Sequence, residues 1–120
     1  MTKLLVVQTA ALGHDFAAAH GLEVLADLPL RAVGSTFPAV TCTASATFRT
    51  GLAPMRHGVT ANGWLDRSLR EPCFWKQPAG LVEGPRIWDG FRARGGTVAI
   101  GFVQQSLGER ADAVVSPAPI

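Results

Sequence analysis

The sequence predicts an α/β fold with a parallel sheet. Three observations carry that expectation. Lys3–Val7 contains the continuous apolar run Leu-Leu-Val-Val, the pattern of a strand covered on both faces. Thr97–Val103 is a second apolar, β-rich run. Between the two lie helical stretches with glycine stop signals at Gly51 and at Gly95-Gly96. Strands alternating with helices in this order suit a parallel sheet with crossover connections.

At 120 residues the chain makes at most one domain, residues 1–120. Its 48% hydrophobic content and mean hydropathy of +0.21 supply a core. The net charge of +2 comes from scattered Lys and Arg, which excludes a banked nucleic-acid surface. No apolar run approaches the roughly 18 residues of a membrane span. The opening MTKLLVVQTAALG has the outline of a signal peptide, but Gln8 and Thr9 interrupt its apolar part, so a first strand is expected instead. Cys42 and Cys73 form no CxxC pair, which fits a reduced, cytoplasmic chain. Nothing in the sequence sets an oligomeric state.

Ligands in open α/β sheets gather beyond the carboxyl ends of strands, which draws attention to Gln8 and Thr9 after the first strand. Ala10–Gly13 then turns the chain, and Asp15–His20 reads as a helix. Leu22–Leu28 has a partial apolar helical face through Leu22, Leu25, Ala26 and Leu28. His14, Asp15 and His20 match no metal-ligand spacing and read as solvated side chains. Leu30–Val33 is expected as a short strand.

The central stretch is Phe37–Asn62, FPAVTCTASATFRTGLAPMRHGVTAN. Pro38 forces Phe37 out of helical backbone. Thr41 then reads as an N-cap for a helix that Gly51 stops. A helix start offers unpaired N–H groups and partial positive charge to an oxyanion. Its hydroxyl is a nucleophile only if its pKa is lowered. Arg49 and Arg56 read as solvated charges with a possible attraction for an anionic substrate. From Leu65 to Leu81 the mix of charges with Pro72 and Pro78 reads as an irregular excursion. Gly84-Pro85 opens a helix through Arg94, Gln104–Arg110 is a loop, and Ala113–Val115 is a third short strand.

The spacing FPxxTxxxxxxxxTGLxPxxHGxxxN resembles the nucleophile segment of the type I phosphodiesterase/nucleotide pyrophosphatase family, within the alkaline phosphatase superfamily. Phe74-Trp75-Lys76-Gln77, Leu81-Val82-Glu83-Gly84 and Arg86-Ile87-Trp88 resemble a bacterial branch of it. The resemblance implies the N-terminal part of an alkaline-phosphatase-like α/β/α sandwich with a mostly parallel sheet. It implies Thr41 as nucleophile and as a metal ligand, with Gln8 at the strand end where the family usually places a metal-binding Asp. It implies two divalent metal ions, typically zinc, with most ligands expected beyond residue 120. Ala44 and Ser45 stand where many members carry Asn and His, so oxyanion stabilisation falls to backbone N–H groups or residues elsewhere, with help from Ser45 or with that hydroxyl simply buried in the helix. Ser45, Asn62 and Trp64 are the expected substrate-binding residues, the indole stacking on a base or packing as an anchor. The His57-Gly58 pair belongs to a structural loop, which makes His57 an anchor and not a base.

Three functions follow. The first is a metal-dependent hydrolase of phosphodiester or nucleotide pyrophosphate bonds, this chain being a fragment that is inactive alone. The second is a phosphomonoester, phosphonate or sulfate hydrolase of the same superfamily. The third, favoured by Gln8 and Ala44, is a non-catalytic anion- or nucleotide-binding module. The expected partner is a small phosphate ester or nucleotide, with no nucleic acid and no membrane.

Overall fold

The computed structural model describes residues 3–22, 24–25 and 28–118. The chain divides into two compact units, Met1–Gly34 and Ser35–Ile120.

The first unit carries the helix α1, His14–Ala19, with Asp15 in its first turn, where a negative charge faces the positive helix end. The two-residue strands β1 (Val24–Leu25) and β2 (Leu28–Pro29) pair antiparallel, Val24 opposite Pro29 and Leu25 opposite Leu28. Strand backbone thus replaces the helix expected over Leu22–Leu28, whose positions 23, 26 and 27 lie outside the described residues. The expected strand at Lys3–Val7 is not formed either. Leu4 and Leu5 are 87% and 84% exposed, and no ladder partner for this segment exists among the described residues. Apolar content makes a strand only where a neighbour takes its N–H and C=O groups. The strand expected at Leu30–Val33 is likewise irregular, and its Arg31, Ala32 and Val33 are exposed.

The second unit opens with Ser35–Val40 and then the helix α2, Thr41–Thr50. Small and helix-tolerant residues propagate it, and Gly51 ends it in left-handed backbone at φ 67°, a conformation costly for any side chain with a Cβ. The short helix α3, Pro54–His57, starts on a proline at its first position. β3 (Gly63–Asp66) and β4 (Glu71–Phe74) form an antiparallel hairpin in the region read as an irregular excursion. Pro72 is tolerated because a two-stranded ribbon has only edges. A 3-10 turn, Ala79–Leu81, leads to the helix α4, Asp89–Ala93, shorter and later than the Pro85 signal suggested. β5 (Ala99–Gly101) and β6 (Ala113–Val115) pair in parallel.

The described residues therefore build three separate two-stranded sheets, two antiparallel and one parallel. The expected mostly parallel sheet is represented by β5 and β6 alone. Cys42 and Ala46 of α2 pack with Val59 and Val82, and Trp75 leans on them. Next to this small apolar core sits a buried ion cluster. Glu109 Oε2 accepts from Arg86 Nε at 2.7 Å and from Arg49 NH1 at 3.3 Å. Arg49, read from sequence as a solvated charge, is 2% exposed. It tethers α2 to the loop after β5, donating also to the Gln105 carbonyl at 2.9 Å. Burial pulls its pKa down to about 10; Glu109 works against that shift and Arg86 with it.

Candidate functional site

Thr41 is the first residue of α2, and Val40 occupies the cap position with no side-chain cap bond. The threonine is exposed, so its hydroxyl stands at the open end of the helix and not in an apolar core. Val40 cannot cap because it carries no acceptor. The bond comes from twenty residues away, where Asn62 Oδ1 accepts the Cys42 N–H at 3.0 Å. That bond also fixes the amide orientation: Oδ1 faces the helix, leaving the Nδ2 donor without a protein partner among the described residues. The first α2 hydrogen bond runs from Ala44 N–H to the Val40 carbonyl at 2.9 Å. The Thr41 and Thr43 N–H groups find no acceptor among the described residues. Thr43 Oγ1, buried beside them in sequence, is also without a partner.

Thr43 is fully buried, so the accessible assembly is one hydroxyl, one backbone donor and one side-chain amide donor at the positive end of a ten-residue helix. Such a set accepts an oxyanion. It contains no base for the hydroxyl. His57, the nearest histidine in sequence, is fully buried and spends its ring elsewhere. Its Nδ1 accepts the Val59 N–H at 3.2 Å, so Nε2 carries the proton and donates to Thr47 Oγ1 at 2.9 Å. Burial lowers its pKa below the usual histidine range, and Arg49 pushes the same way. His57 is an anchor between α3 and α2.

Of the other residues singled out in sequence, Trp64 lies in β3 opposite Cys73, 37% exposed. With Val59, Leu81 and Gln105 it walls a cavity of about 230 Å³ beside the loop that carries Asn62. Ser45 is 3% exposed, because one turn along α2 that face is already turned inward. Gln8 belongs to the first unit, in the irregular segment before α1. No group of three or more His, Cys, Asp or Glu suited to a metal ion occurs among the described residues. Gln8 and Thr41 fall short of the three protein ligands a catalytic zinc takes, so the described residues do not by themselves fit the implied metals. Both cysteines are free thiols, Cys42 buried with its pKa raised by that burial, Cys73 partly exposed.

What sequence reading missed is the long-range cap and the Arg86–Glu109–Arg49 cluster. Neither has a local signal, since their partners lie 20 to 60 residues apart.

Fold and site define a mixed α/β chain with a hydroxyl and unpaired donors at the open start of its longest helix. The family model described as type I phosphodiesterase / nucleotide pyrophosphatase matches residues 16–117, and the chain belongs to that family. No curated protein and no solved structure matches it. No described helix is long and apolar enough to cross a membrane.

Proposed function

We propose that this chain supplies the nucleophile and the anion cradle of a metal-dependent phosphodiesterase or nucleotide pyrophosphatase with an alkaline-phosphatase-like α/β/α domain, of which residues 1–120 are the N-terminal part. The observation that carries it is the exposed Thr41 hydroxyl at a helix start whose first N–H and Asn62 amide are poised for an oxyanion. Two divalent metals, zinc by resemblance, would be held mainly by residues other than those described, with Thr41 as the contribution from the second unit.

The residues present divide the work as follows. The Thr41 N–H and Asn62 Nδ2 bind non-bridging phosphoryl oxygens and orient phosphorus over Thr41 Oγ1. Oγ1, once its proton is removed, attacks phosphorus; the P–O bond to the leaving alcohol or phosphate breaks, leaving a phosphothreonine-type intermediate that keeps the substrate's other ester group, and water hydrolyses it to release the phosphomonoester. The group that takes the proton lies outside this site, since His57 is committed to Val59 and Thr47. Substrate contacts beyond phosphate are assigned to Trp64. The cavity beside it falls below the usual range of about 300–1,000 Å³ for drug-sized ligands, which suits one small ring or a short polar group. The free thiols support a cytoplasmic setting.

The test is hydrolysis of a nitrophenyl phosphodiester with zinc added. The 120-residue chain is expected to be silent. A polypeptide carrying it within the complete domain is expected to turn over, and to lose about a hundredfold or more on Thr41→Ala. An unimpaired Thr41→Ala enzyme would overturn the nucleophile assignment. One observation favours a second reading, the non-catalytic anion-binding module: the described residues hold no metal-ligand group. Phosphate binding by the complete domain without metal content or turnover would establish it.

A further inference from the structure

We propose that His57 is a positioning residue for Asn62, acting by clamping the Gly58–Ala61 loop to α2; the functional part of this rests on the anion-cradle reading above. The loop is hooked to one helix at two points. At one end the His57 ring bonds Thr47 Oγ1 in the middle of α2 and takes the Val59 N–H. At the other end Asn62 Oδ1 takes the Cys42 N–H at the helix start. Thr47 and Cys42 are five residues apart, about 7.5 Å along a helix axis at 1.5 Å per residue. The loop therefore runs back along α2 from its middle to its start.

Between the hooks the loop is held to α2 also by Val59, which packs with Cys42 and Ala46, but its remaining residues have few ties. Thr60 and Ala61 make no hydrogen bond among the described residues, and Gly58 sits in left-handed backbone at φ 80°. The His57 ring is itself held firmly, fully buried, with its carbonyl accepting the Glu83 N–H at 3.0 Å. Asn62 has one further bond, from the Trp75 N–H to its carbonyl at 3.1 Å. That contact fixes the backbone on the hairpin side. It does not set the plane of the side-chain amide. The Val59 bond is the nearest constraint on that plane from the other side, three residues upstream.

The two functions of the ring separate by substitution. In His57→Asn an amide oxygen at the Nδ1 position still accepts from Val59, while the reach to Thr47 is lost. In His57→Gln a distal donor still reaches Thr47, while the acceptor for Val59 is lost. The primary readout is amide hydrogen exchange of Cys42 in the 120-residue chain, compared with Arg49 deeper in α2. His57→Gln is expected to speed Cys42 exchange about fivefold or more relative to Arg49, the effect of losing one hydrogen bond, and His57→Asn, which frees the loop from Thr47, to do the same. The second readout is the dissociation constant for inorganic phosphate. His57→Gln should weaken it in the wild-type background and leave it unchanged in an Asn62→Ala background, which general destabilisation would not do.

Cys42 and Arg49 exchanging in step in His57→Gln would overturn the proposal, and so would an equal loss of phosphate affinity in both backgrounds. If His57→Gln does not fold, Thr47→Val removes the other ring partner and the same two comparisons decide. Wild-type chain that folds without binding phosphate would defeat the anion-cradle reading, while the exchange comparison still decides the role of His57.

Discussion

His57 shows how one side chain can be read two ways and be settled by its partners. A histidine within sixteen residues of a candidate nucleophile invites a general-base role. A ring that accepts from Val59, donates to Thr47 and is sealed from water cannot also serve Thr41. Its burial has a pH consequence. The folded-state pKa lies below the unfolded value of about 6.5, so between the two the unfolded chain holds a proton that the folded chain does not. Stability is then complete above about pH 6.5 and falls as pH drops through that window. Thermal melts from pH 8 to 5 are expected to show a decline in that window that is smaller in His57→Gln; an unchanged decline would assign it to other groups. The sequence alone marked His57 as an anchor through the family resemblance of its His-Gly pair. It could not show Arg49 as buried, because that depends on Glu109, sixty residues away.

At the scale of elements, α2 was the most legible part of the chain. A proline-interrupted entry, a run of small residues and a terminal glycine are local signals, and the helix spans Thr41–Thr50 as they suggest. Its cap was misread by one position, since Val40 holds that place and Asn62 supplies the bond. The β3–β4 hairpin was illegible because Arg67, Arg70, Glu71 and Pro72 mask any alternation of apolar residues. Its ladder is set by pairing, with Gly63 opposite Phe74 and Asp66 opposite Glu71. Gly51→Ala tests the helix stop. With φ at 67°, a Cβ there costs roughly 1–2 kcal/mol, read as a lower urea midpoint with unchanged slope. An unchanged midpoint would show that the helix end relaxes freely.

Across the whole second unit, cohesion comes as much from charge as from apolar contact. The core of Cys42, Ala46, Val59 and Val82 is small, and Glu109 ties the segments around residues 49, 86 and 109 through two arginines. Removing one member of a buried ion pair leaves the others uncompensated. Glu109→Gln is therefore expected to destabilise by about 3–5 kcal/mol; a loss under about 1 kcal/mol would mean the arginines find other acceptors or water. The family was accessible from motif spacing, and the mixed α/β class from the order of apolar runs and helical stretches. The sheet was not, since Lys3–Val7 has a strand's composition and no described partner.

The two cysteines give the chain a built-in clock. Cys73, partly exposed on β4, is open to a thiol reagent in the folded state, whereas Cys42 lies sealed beneath the first turn of α2 with its pKa raised by burial. A disulfide reagent such as Ellman's should therefore release its chromophore in two phases, one equivalent fast and one slow. The slow phase times the opening of the nucleophile helix, and phosphate seated at Thr41 should lengthen it.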